Sequence, residues 1–229
     1  GSVDFISGSG SVGVGGNVNI LSGGSTSVAH ASGDINVSSG SNDGSSGSVS
    51  ISSGSSSKDA SGRVSLRTGS SQSAGDVILN PGDSKSDGAD ILLSAGHSTS
   101  NDETHGGAVT ILGGDGPEGG DVVLHGGLGE KLAGGKLKLS GGISTNGDVG
   151  GTVSILGGES SSGVSSGGSV SIEGGLSQEG VGGSLLLSGG ASSTKSSGSV
   201  YVHSTATTGS DTFSGDVKIE SGDSHRGNS

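Results

Sequence analysis

The sequence predicts an all-β chain wound as a parallel β-solenoid (β-helix). Three observations carry that expectation. One short motif recurs from end to end, each copy alternates aliphatic with other residues, and the composition excludes a conventional aromatic-rich core. Gly (53) and Ser (54) make up 107 of 229 residues, or 47%, and only Phe5, Tyr201 and Phe213 are aromatic. Leu, Ile, Val and Phe sum to 49, about 21%, just above the composition at which chains stay disordered.

The motif reads Gly, polar, aliphatic, any, aliphatic, any, then Gly shortly after. Fifteen copies are anchored at Gly1, Gly16, Gly33, Gly47, Gly62, Gly75, Ala89, Gly107, Gly120, Gly135, Gly151, Gly168, Gly183, Gly198 and Gly215. Anchors lie 13 to 18 residues apart, with no break in the series, so 1–229 is expected to be a single repeat domain. Because the chain begins inside its own repeat and without Met, it is expected to be a segment of a longer or processed chain.

Each copy supplies a pair of aliphatics expected to face a common interior. These are Val49 and Ile51, Val64 and Leu66, Val109 and Ile111, Val122 and Leu124, and Leu137 and Leu139. Further along come Val153 and Ile155, Val170 and Ile172, Leu185 and Leu187, and Val217 and Ile219. Period two with β-branched residues is the pattern of a half-buried strand. Gly density and β-branching exclude helix. Gly after each strand is expected to supply positive φ for a sharp corner.

Phase within the repeats predicts how the strands stack. The segment at 107–115 matches that at 151–159, 120–128 matches 168–176, and 135–143 matches 183–191, each three copies apart. Three strands per coil follow, with about 46 residues per coil and about five coils. Two strands per coil, one per coil and a non-solenoid sheet are the alternatives.

Charge narrows function. Ten Lys and Arg against 22 Asp and Glu give a net charge of −12, without the basic stripe a nucleic acid or an anionic membrane would need. Apolar runs of about three residues, such as 185–187, cannot span a bilayer. No Cys is present, which removes disulfides and Cys-ligated metal sites. Two loops hold candidate chemistry. At 114–121, Asp115, Glu118 and Asp121 on a Gly-rich turn are calcium candidates, although calcium-binding nonapeptide proteins repeat their Asp every nine residues and these acids do not recur. At 97–105, His97, Asp102, Glu103 and His105 share the longest connection, where the bland reading is a solvated polar loop. Asn36-Val37-Ser38 fits the N-glycosylation sequon, but the alternation places it in a strand. Ser/Thr-rich loops are open to glycans or phosphate. With 54 Ser and 22 acids, a Ser/His/Asp triad has no diagnostic value, so no catalytic or cofactor-binding residue is assigned.

The phrases Gly-Ser-Val-Ser-Ile at 47–51 and 168–172, and Gly-Gly-Ser-Leu-Leu-Leu-Ser-Gly-Gly at 182–190, resemble Gly/Ser-rich repeat proteins of microbial and algal cell surfaces. That resemblance implies an extracellular, cell-surface structural role of the adhesin or filament type. The expectation is a non-enzymatic, acidic structural protein, a rod or filament segment that self-associates end to end through solenoid stacking. An adhesin module on an ice or mineral surface is the alternative, followed by a polysaccharide-active β-helix enzyme. Its expected partners are further copies of itself and glycans.

Overall fold

Alternating residues require two things to become a sheet: side chains to one face, and a partner strand for the backbone. In the computed structural model, which describes residues 1–100, 104–146, 148–161, 165–207 and 212–223, the partner strand is not found. In two octets, side chains two residues apart touch. Ser171 donates to Glu173 at 2.8 Å, and Lys218 pairs with Glu220 at 2.7 Å.

Among the described residues there is no β-strand and no helix. The expected parallel β-solenoid is therefore overturned, and its coils, its three strands per coil and its common interior go with it. No residue described is buried. Val170 is 48% exposed, Val153 50% and Ile155 62%, where a shared interior would have covered them. The other expected pairs are exposed likewise: Val49 and Ile51, Val64 and Leu66, Val109 and Ile111, Val122 and Leu124, Leu137 and Leu139, Leu185 and Leu187, and Val217 and Ile219. Chain accessible area is 22954 Å². A folded monomer of 21.3 kDa would expose about 9,000 Å² and its extended chain about 31,000 Å².

The physical reason lies in the ratio of apolar gain to ordering cost. Each repeat of about 15 residues offers two aliphatic side chains and a large share of Gly, the residue that loses most backbone freedom on ordering. Two side chains do not offset that loss, so the pattern does not assemble a ladder.

What the chain does build is a series of closed loops. The backbone N–H of an anchor glycine donates to the carbonyl of the glycine that ends the preceding repeat. Such a bond joins Gly16 to Gly8, Gly33 to Gly23, Gly107 to Gly96, Gly120 to Gly114, Gly135 to Gly127, Gly151 to Gly142, Gly168 to Gly158, Gly183 to Gly175 and Gly198 to Gly190, at 2.8–2.9 Å. We call each meeting point a neck. These nine necks separate an eight-residue segment of fixed length, the octet, from a loop of variable length. Anchor and closing residue are seven positions apart in all fifteen copies, and the closing residue is Gly in all but one, where it is Thr205. Backbone bends fall in the loops, at 11–13, 43–44, 116–118 and 178–180 for example, and none falls in an octet among the described residues.

The chain divides into two units, Gly1–Val109 and Thr110–Ser229. In the first unit, the residue before each closing glycine carries a side chain: Ser7, Ser22, Ser39, Ser53, Thr68, Pro81 and Ala95. In the second, it is glycine in six consecutive octets, at Gly113, Gly126, Gly141, Gly157, Gly174 and Gly189.

Candidate functional site

Necks are where the chain is most closely packed, so the site is built from them outward. Nine described residues are partly covered, and five of these, Ser7, Pro81, Ala95, Gly113 and Gly141, stand just before a closing glycine. In the second unit the two backbones touch without side chains between them. A Cβ on Gly157 would overlap the carbonyl oxygen of Gly168, and one on Gly141 that of Gly151. On the anchor side, a Cβ on Gly151 would lie 2.7 Å from the Gly142 nitrogen. In the first unit the approach is looser. A Cβ on Gly33 would lie 3.6 Å from the Ser22 Cβ, an ordinary contact. There the side chain also contributes, because the Ser7 hydroxyl donates to the Gly16 carbonyl at 2.7 Å.

These glycines are required by space. No described glycine has φ in the left-handed region, so the expected positive-φ corner is corrected: the neck needs close backbone approach, which a Cβ forbids.

Most of the candidate metal ligands lie in loops, and the structure does not bring them together. Asp115 and Glu118 lie in the five-residue loop 115–119, closed by the 2.9 Å bond from Gly120 to Gly114. Asp121 lies beyond the neck, in the next octet. They do not converge: among the described residues no three His, Cys, Asp or Glu side chains are placed to hold a metal ion. His97 and His105 lie within the ten-residue loop 97–106, in which the Ser98 and Thr104 hydroxyls bond each other. Asp102 and Glu103 lie outside the described residues, as does His225. Smaller turns are held by serine. Ser71 and Ser84 accept from the amides of Ser73 and Ser86, at 3.0 and 3.1 Å, and Ser177 accepts from Gly180 at 2.9 Å.

Apolar side chains concentrate on the octets, with a shallow recess of about 400 Å³ in the first unit lined by Phe5, Val18, Asn19, Ile20 and Leu21. No helix among the described residues is long and apolar enough to cross a membrane.

The neck is the element that the motif reading missed. Its signal was available as the constant seven-residue interval from anchor to closing glycine, masked by counting from anchor to anchor, where loop length varies. No family model, curated protein or solved structure matches the chain.

Proposed function

We propose that this chain is a non-catalytic structural protein of the cell surface or extracellular matrix. In this reading, apolar octets associate with octets of further copies, and polar loops keep the assembly hydrated. Its extracellular setting rests on the compositional resemblance. The associating role rests on one observation: thirty apolar side chains at fixed octet positions, two in each of fifteen octets, remain at least about half exposed. Covering such side chains contributes about 25 cal/mol per Å² of apolar area. Loops of five to ten residues on closed necks project Ser, Asp and Glu between successive octets, so apolar contact is divided into short stretches. Divided contact favours weak, many-point association over a single tight interface.

The net charge of −12 opposes association at low ionic strength. Salt should therefore promote it. In sedimentation velocity, the fraction of assembled chain is expected to rise with protein concentration, and to rise further at about 0.5 M salt, where charges are screened beyond a few Å. Replacing Val153, Ile155, Val170, Ile172, Leu185 and Leu187 with Ser should weaken association by about tenfold or more, since each aliphatic contributes on the order of 1 kcal/mol when covered. A wild-type chain that stays monomeric at every concentration and salt would overturn the proposal.

A further inference from the structure

We propose that Asn36 is an acceptor for N-linked glycan. The inference rests on the extracellular reading above and on the loss of the expected strand. Asn36-Val37-Ser38 has the acceptor pattern, an Asn two residues before a hydroxyl. In a closed ladder that segment would be held by its neighbours and its amide withheld. In the structure, Asn36, Val37 and Ser38 are exposed, and no backbone hydrogen bond engages them. The octet 33–40 is exposed throughout and carries no turn or bend, so an enzyme cleft can reach the tripeptide.

In the transfer step, the Asn36 Nδ2 bonds to the anomeric carbon of a lipid-pyrophosphate-linked oligosaccharide. The carbon–oxygen bond to pyrophosphate breaks, the electron pair leaves with the lipid pyrophosphate, and Nδ2 loses one proton to the transferase. Asn36 stands between Ile35 and Val37, the two octet aliphatics of that copy, which are 52% and 73% exposed.

The octet 16–23 supplies an internal control. Asn19 has the same position in its octet as Asn36, but it is followed by Ile20 and Leu21, with no hydroxyl two residues on. Leu21 is exposed, so Leu21→Ser completes a second acceptor at little structural cost.

The test is translation of the full chain, behind a cleavable secretion signal, into glycosylating microsomes, followed by enzymatic deglycosylation and peptide mass spectrometry. Wild type should carry one glycan, with position 36 converted to Asp on deglycosylation. Ser38→Ala and Asn36→Gln should carry none, and Leu21→Ser should carry two. Unmodified wild type overturns the proposal, whether or not Leu21→Ser is modified, as does a glycan that survives Asn36→Gln. Sedimentation of unglycosylated chain reads the associating role separately, so failure of one reading is distinguishable from failure of the other.

Discussion

A glycine usually signals flexibility, yet at the necks of the second unit it signals contact. Gly142 and Gly151 meet so closely that a methyl group on Gly151 has nowhere to go, whereas the neck of Gly23 and Gly33 leaves room. Gly151→Ala and Gly33→Ala are chemically the same change, and they should behave differently. A neck hydrogen bond is worth about 1 kcal/mol net, so breaking it should speed exchange of its amide about fivefold. Hydrogen exchange by NMR at position 151 should show that acceleration in Gly151→Ala. At position 33, Gly33→Ala should leave exchange unchanged or slower, because alanine restricts the open chain and stabilises compatible sites by about 0.4–1 kcal/mol. Equal acceleration in both variants would mean that the neck does not depend on backbone contact.

At the scale of the element, octet and loop obey different rules. Octet length is fixed at eight residues, whereas the loops between bonded necks run from five residues at 115–119 to ten at 97–106. Doubling a loop costs about 0.6 kcal/mol of closure entropy, less than the bond gains, and both of those necks close at 2.9 Å. Lengthening the loop 176–182 by two residues should therefore cost about 0.2 kcal/mol and leave the Gly183 amide almost as protected as before. Hydrogen exchange at Gly183 measures this, and full loss of protection would show that loop length matters more than the neck. Much of this organisation was legible in the sequence. Val153 and Ile155 stand in an octet without a bend, as the fixed motif suggests, and acids such as Asp115 and Glu118 fall on an exposed loop. What alternation does not encode is whether anything covers those aliphatics. Coverage depends on the sum over the whole chain, where two aliphatics per repeat meet a backbone rich in Gly. Likewise the three-copy kinship of 107–115 with 151–159 is a relation between sequences and corresponds to no pairing of backbones.

For the whole molecule, the consequence of having no buried residue among those described is thermodynamic. Cooperative unfolding requires many contacts to be lost together, and its denaturant slope and heat-capacity increment both scale with the surface newly exposed. A chain of 21.3 kDa that already exposes 22954 Å² has little left to expose. Necks are local, each closing five to ten residues, and the loss of one does not require the loss of the next. Dilute, unassembled chain should therefore show no sigmoidal transition in urea by circular dichroism and no heat-absorption peak by scanning calorimetry. Neck amides should lose protection independently and gradually on warming. Under assembling conditions of high salt and high concentration the outcome should change, because covering the octet aliphatics creates the apolar area that a single chain lacks. A calorimetric peak that grows with concentration then belongs to the assembly. A sharp transition in dilute, monomeric chain would require a common interior after all, and the exposed octets described above could not account for it.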